Sequence, residues 1–303
     1  DVMRASRAAT AYPRIQTPIR TTHLRSFDGT RIAVHEAGTG DRTMVLAPGL
    51  GSHLYCWKYF IEHFARSWRL VTWDPRGTYD SDWPADAAHV RLEDHAADLE
   101  AIVADRALDG FVLAGWSMGV QIALEYAHRH PEDVRALVLI NGAFEHVLRT
   151  ALGVPGIGPL LEGGLRVLRH ANPVLKALAP RLMRHPRFPD LLAGLGFLSG
   201  PPPFFPEVLA PFSTNDWRRY FTLMLALNRH SAAPYLAEIR MPTLVTGGTK
   251  DTLTPAANAR RLAASIPGAE LVMIQDGTHY AMVEFPSFVN CVVERFLDRV
   301  LPA

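Results

Sequence analysis

Phe111-Val112-Leu113-Ala114-Gly115-Trp116-Ser117-Met118-Gly119-Val120-Gln121-Ile122-Ala123 decides the reading of this chain. An apolar run enters the stretch, a Gly-x-Ser-x-Gly pentapeptide turns it, and a helical pattern leaves it to about His130. A serine on so sharp a strand-to-helix turn is forced into a strained backbone region, and its hydroxyl projects above the sheet edge. Backbones crowd at such a turn, so the residues two places to either side must be small, as Gly115 and Gly119 are. The helix that starts after Ser117 lays free N–H groups and its positive dipole end beneath the place where an oxyanion would form. The pentapeptide alone is weak evidence, because short motifs recur by chance; the flanking strand and helix carry the weight.

Outward from this centre the chain alternates. Thr21–Ser26 and Thr30–Glu36 flank Asp28-Gly29, a hairpin dipeptide. Apolar runs at Thr43–Ala47, Arg69–Trp73, Phe111–Ala114 and Val134–Ile140 read as buried strands. Helical patterns at Tyr55–Ala65, Leu92–Ala107 and the stretch after Ser117 separate them. The same alternation returns with strands at Pro242–Thr246 and Ala269–Ile274 and helices at Ala256–Ile266 and Pro286–Leu301. This order predicts an α/β fold, a mostly parallel sheet covered by helices on both faces with crossovers of one hand. From Ala143 to Ala237 no strand-like run occurs, only two or three amphipathic pieces between Gly- and Pro-rich breaks. A structureless loop of that length is improbable in a compact domain. The expected organisation is therefore an N-terminal arm over 1–21, a core of 22–142 and 238–303, and a helical lid over 143–237.

With 48% hydrophobic and 20% charged residues, the 303-residue chain has an ordinary globular composition and room for one inserted subdomain. A net charge of +1 offers no global field for nucleic acid. Cys56 and Cys291 stand far apart without a Cys-x-x-Cys or histidine-rich context, which argues against a disulfide framework or a zinc site and fits the reducing cytoplasm. No metal or cofactor is expected. No apolar run approaches the ~18 residues that a transmembrane segment needs. Residues 1–20 lack the apolar stretch of a secretory signal.

A serine hydroxyl is a poor nucleophile until a base takes its proton, and that base needs an orienting acid. The turn at Ser117 therefore predicts a carboxylate and then a histidine further along, at strand ends. Asp251 follows one late strand in Gly247-Gly248-Thr249-Lys250-Asp251, and His279 follows the last in Asp276-Gly277-Thr278-His279. Singly, Asp251 reads equally well as a helix cap and His279 as a loop residue. Their order, at the carboxyl ends of successive strands where open sheets bind ligands, makes them candidates. Asn141-Gly142 occupies the other strand end where an acid could stand, Glu145 is too far along, and Asp276 reads as a turn former.

With these pieces the chain resembles the α/β-hydrolase fold superfamily over nearly all of residues 22–301. Gly115-Trp116-Ser117-Met118-Gly119, Gly247-Gly248-Thr249-Lys250-Asp251 and Gly277-Thr278-His279 carry the resemblance, and Pro48-Gly49-Leu50, with Trp57 downstream, is similar to the family's oxyanion loop. The resemblance implies Ser117 as nucleophile, His279 as general base and then acid, Asp251 as the group that fixes the imidazole, and the N–H groups of Leu50 and Met118 as the oxyanion hole. Gly49, His53, Trp116 and Tyr280 are the expected pocket residues. Two positions depart from the family pattern: Pro48 stands where histidine is usual, and Tyr79, in Asp74-Pro75-Arg76-Gly77-Thr78-Tyr79-Asp80-Ser81, where glycine is usual. Asp74 and Arg76 read as structural. A serine at the elbow also separates the chain from branches that use aspartate there.

The expected activity is that of a serine esterase, acting on an apolar carboxylic ester with thioester and lactone as variants. The same triad chemistry serves an acyltransferase, a carrier-protein thioesterase, a C–C hydrolase or a cofactor-free perhydrolase, and a low-turnover ligand receptor retains it unused. Between Phe144 and Tyr235 ten basic residues face five acidic ones, so the lid carries +5 and the rest of the chain −4. A solvated helix face explains such a pattern; an acidic carrier protein or an anionic surface as partner is the sharper alternative.

Overall fold

In the computed structural model, which describes residues 15–301, Asp28-Gly29 closes the first hairpin. Gly29 adopts φ 81°, and the Thr30 N–H donates to Asp28 Oδ1 at 3.0 Å, so the turn chemistry sits where the dipeptide placed it. The turn joins β1 (Ile19–Arg25) to β2 (Arg31–Ala37) antiparallel. The first strand starts two residues before Thr21 because Ile19 is buried and pairs with Ala37. Residues 19–21 of the expected arm thus belong to the sheet, and 1–14 lie outside the described residues.

The remaining strands are β3 (Arg42–Ala47), β4 (Trp68–Trp73), β5 (Phe111–Trp116), β6 (Val134–Ile140), β7 (Thr243–Gly248) and β8 (Glu270–Ile274). They form one sheet in the order β1-β2-β4-β3-β5-β6-β7-β8, antiparallel at β1–β2 and β2–β4 and parallel from β4 to β8. Their near-continuous apolar runs follow from coverage on both faces. Val45, Leu113, Leu137 and Leu139 point into one core layer, whereas Met44, Leu46, Val112 and Val138 point into the other.

Helices α1 (Lys58–Phe64), α2 (Leu92–Arg106) and α3 (Met118–Arg129) connect the early strands. On α2, Leu92, Leu99 and Ile102 are buried at helical spacing, each worth about 1.5–3 kcal/mol of apolar burial. Between β6 and β7 the chain runs through α4 (Val147–Thr150), α5 (Gly158–Leu168), α6 (Asn172–Met183), α7 (Phe188–Gly194), α8 (Phe205–Phe212) and α9 (Trp217–Leu227). Prolines stand in the first turn of α5, α6, α7 and α8, where a missing N–H costs nothing and the ring sets φ for a helix. They divide the segment into more and shorter helices than the two or three that periodicity suggests. An isolated bridge between Glu145 and Ser231 joins the two ends of this insertion. After β7 come α10 (Ala256–Ser265), α11 (Ala281–Glu284) and α12 (Pro286–Val300). No helix among the described residues is long and apolar enough to cross a membrane.

The parallel register aligns the strand ends that matter. Ala47 pairs with Gly115, Ile140 with Thr246, and Gly248 with Ile274, so the loops after β3, β5, β6, β7 and β8 emerge along one edge.

Candidate active site

Ser117 has φ 58° and ψ −117°, a sparsely populated conformation for a residue with a side chain. Its surroundings hold it there. Its N–H donates to the Ile140 carbonyl at 3.1 Å and its carbonyl accepts from the Val120 N–H at 3.1 Å. A Cβ on Gly119 would lie 2.0 Å from the Ala47 carbonyl oxygen, and one on Gly115 would lie 2.2 Å from that of Gly119. The two glycines are thus required by the close passage of β3, β5 and α3.

The loops after β7 and β8 approach just as closely, since a Cβ on Gly248 would lie 2.1 Å from the Gly277 carbonyl oxygen. This contact brings Asp251 and His279 together. His279 Nε2 lies 2.8 Å from Ser117 Oγ, and His279 Nδ1 lies 3.1 Å from Asp251 Oδ2. Asp251 Oδ1 accepts the N–H groups of Leu253 at 2.9 Å and Thr254 at 2.8 Å. Its Oδ2 also accepts the Thr254 hydroxyl at 2.7 Å and Asn141 Nδ2 at 3.1 Å. Burial alone would push this carboxyl up; the His279 ring, the Thr254 N–H and Asn141 outweigh it and hold the group below the usual carboxylate range. With a carboxylate fixed at Nδ1, the imidazole carries its proton there and offers Nε2 to the serine hydroxyl.

Two members of this arrangement had no signal of their own in the sequence. Asn141, buried and at φ 43°, donates through Nδ2 both to Asp251 and to the Thr278 carbonyl at 2.9 Å, tying the acid loop to the histidine loop. Thr254 donates to Asp251, and its Oγ1 lies 3.2 Å from His279 Nδ1. Their position at or just after strand ends was the available hint. Asp276 and Glu145 are engaged elsewhere, with Lys250 at 2.9 Å and Arg261 at 2.7 Å.

Among the described residues, the N–H groups of Leu50 and Met118 donate no backbone hydrogen bond, and both residues line a cavity of about 170 Å³ beside Ser117. Trp116, His279 and Tyr280 line it too, with Phe212, Tyr220, Met224 and Leu227 from the insertion as an apolar roof. Trp116 Nε1 donates to the His279 carbonyl at 3.0 Å, so the indole braces the histidine loop. Gly49, expected in the pocket, lies outside the cavity lining and packs behind it: a Cβ there would lie 2.8 Å from the Trp116 ring and 3.2 Å from Ser117 Cβ. His53 is placed differently from the expectation. It lies outside the cavity lining, caps the short 3₁₀ helix Leu54–Trp57 by accepting the Tyr55 N–H, and packs against the Tyr79 ring at 4.9 Å. Burial pulls its pKa down to about 4, so it is neutral near pH 7.

Tyr79, at φ 47°, keeps the left-handed conformation that a glycine there would adopt. Its hydroxyl donates to the Gly51 carbonyl at 2.5 Å, and Asn215 of the insertion reaches the same carbonyl at 3.5 Å. The departure from glycine thus creates a strut under the Pro48–Gly51 loop. Arg76 is fully buried, donating to Asp98 at 2.8 and 2.6 Å and to Asp28 at 3.0 Å, away from Ser117. Among the described residues no group of three or more His, Cys, Asp or Glu side chains is placed to hold a metal ion.

Comparison with known proteins agrees with this architecture. RutD of Rhizobium rhizogenes, a proposed carbamate hydrolase, is 30% identical over 263 residues, 84% of this chain and 92% of that protein. A hydrolase from Pseudomonas aeruginosa superposes with a TM-score of 0.73 at 22% identity, covering 92% of this chain and 98% of that one. Est816, described as an N-acyl homoserine lactone degrading enzyme, superposes with a TM-score of 0.71 at 26% identity, covering 91% of this chain and all of its own. A family model for the α/β hydrolase fold matches residues 42–286. The chain belongs to the α/β-hydrolase fold family.

Proposed function

We propose that the protein is a serine hydrolase of carboxylic esters, with Ser117, His279 and Asp251 as its catalytic triad. One observation carries the reading: the unbroken line from Ser117 Oγ to His279 Nε2 at 2.8 Å and from Nδ1 to Asp251 at 3.1 Å. Ser117 Oγ attacks the ester carbonyl while His279 Nε2 takes its proton. The N–H groups of Leu50 and Met118 hold the oxyanion, and Asp251 stabilises the imidazolium. His279 returns the proton to the departing alkoxide, leaving an acyl-enzyme. Water, losing its proton to His279, then releases the acid and restores Ser117.

The insertion between β6 and β7 acts in this reading as a lid, because its side chains roof the cavity over Ser117. At about 170 Å³ that cavity lies below the roughly 300–1,000 Å³ of a drug-sized site. Short acyl groups are therefore the expected substrates in water. Both cysteines are free, which favours a cytoplasmic setting. The test is hydrolysis of p-nitrophenyl esters from acetyl to long acyl chains by the protein and by Ser117→Ala. Turnover that needs Ser117 and peaks at short chains supports the proposal; equal turnover in both proteins removes Ser117 from it. A second reading, hydrolysis of a carbamate, is favoured by the name of the 30% identical relative. It would replace the first if a p-nitrophenyl carbamate outran every ester in the same assay.

A further inference from the structure

The first half of the insertion keeps a set of aliphatic side chains outside. Among the described residues, ten of the thirteen large hydrophobic side chains that stand exposed fall between residues 152 and 195. In that span only Gly158, Ala179 and Pro189 are buried. The exposure follows helical spacing. On α6, Val174, Leu178 and Leu182 recur every fourth residue at 58%, 53% and 54% exposure. On α5, Leu160 and Val167 stand seven residues apart at 74% and 71%, and Leu191 on α7 with Leu195 just after it repeats the spacing of four. α5 packs inward against α9, α6 packs against α8 and α9, and α7 turns Phe188 and Leu192 to the core, so these stripes are second, outward faces. Exposed aliphatic side chains gathered in this number on one segment mark an interaction site.

Charge identifies the occupant. Residues 149–195 contain seven basic residues against two acidic ones. Arg181, Arg184 and Arg187 are exposed and have no acidic partner among the described residues. A second copy of the chain would set one cationic face against another in a two-fold contact. The exposed side chains here are all Leu or Val, without the aromatic anchors typical of a protein partner's hot spots. Exposed aliphatic stripes flanked by arginines are the signature of helices that lie in a membrane interface. We propose that α5, α6 and α7 dock the protein onto an anionic lipid surface, with the aliphatic stripes entering the acyl boundary and Arg181, Arg184 and Arg187 meeting the headgroups. The reading is independent of the chemistry at Ser117, because binding can be measured without turnover.

Cosedimentation of the full chain with phosphatidylcholine vesicles, with and without 30% phosphatidylglycerol, tests it. The expected result is at least tenfold stronger partition onto the anionic vesicles, reversed by 0.5 M NaCl. Leu160→Asp with Leu178→Asp, and separately Arg181→Glu with Arg184→Glu and Arg187→Glu, should each lower that partition tenfold or more while leaving the melting temperature unchanged, since every altered side chain is exposed. Ser117→Ala should bind like the parent. No sedimentation with anionic vesicles overturns the proposal, as does binding that neither set of substitutions weakens. A dimer in solution that Leu178→Asp converts to monomer overturns it as well, because a second copy then covers the face.

Discussion

Asp251 shows how much at this site hangs on one atom. Its Oδ2 faces three groups at once: His279 Nδ1, the Thr254 hydroxyl and Asn141 Nδ2. Asp251→Asn keeps the shape but presents an amide NH₂ to at least one of these donors, so the imidazole loses the partner that fixes its proton on Nδ1. A kcat fall of about 10⁴-fold with little change in KM is expected. Ser117→Ala removes the proposed nucleophile and should cost roughly 10⁶-fold. Steady-state kinetics with a short p-nitrophenyl ester reads both. Equal KM values across the three proteins would show that the losses lie in the chemical step. If Asp251→Asn retained more than a tenth of the parent's kcat, Asp251 would not be the orienting acid.

At the scale of elements, the connection from β4 to α2 does two jobs. Tyr79 braces the loop that carries the Leu50 N–H, and Arg76 locks the connection to β1–β2 and α2 through Asp28 and Asp98. Tyr79→Phe removes one hydrogen bond, about 1 kcal/mol, and should lower kcat roughly fivefold with the melting temperature nearly unchanged. An unchanged kcat would mean that packing alone holds the Pro48–Gly51 loop. Arg76→Met leaves two buried carboxylates without their cation and should cost about 3–5 kcal/mol in urea unfolding while sparing kcat in the folded fraction. These struts also mark where reading the sequence stops. Ser117, Asp251 and His279 were legible because each sits in a short local pattern at a strand end. Asn141 joins Asp251 across 110 residues and Thr278 across 137, a pairing set by the β5-β6-β7-β8 order, which spacing does not encode. His53 and Tyr79 were equally out of reach, since the contact between their rings exists only once the loops after β3 and β4 are stacked. The short helices α7 and α8 escaped separate identification because seven or eight residues fall below the window in which helical periodicity can be read.

For the whole molecule, the buried polar residues that secure the core set its response to acid. His95 on α2 is 2% exposed, its Nδ1 finds no hydrogen-bond partner among the described residues, and it shares its surroundings with the Arg76 guanidinium. Burial, reinforced by that positive charge, pulls its pKa down to about 3. In the unfolded chain the same ring titrates near 6.5. Between these values the unfolded state binds a proton that the folded state refuses, so stability falls as pH drops from about 6.5 and the loss ends near pH 3. From pH 6.5 to pH 5 this single ring should remove about 2 kcal/mol, a large share of the roughly 5–15 kcal/mol that holds an ordinary domain together. Urea unfolding at pH 7, 6 and 5 measures the slope for the parent and for His95→Leu, which keeps a buried side chain but cannot take up the proton. Whatever its stability at pH 7, the variant should lose about 2 kcal/mol less than the parent between pH 7 and pH 5. Parallel curves would mean that His95 titrates alike in both states and that acid sensitivity arises elsewhere in the fold.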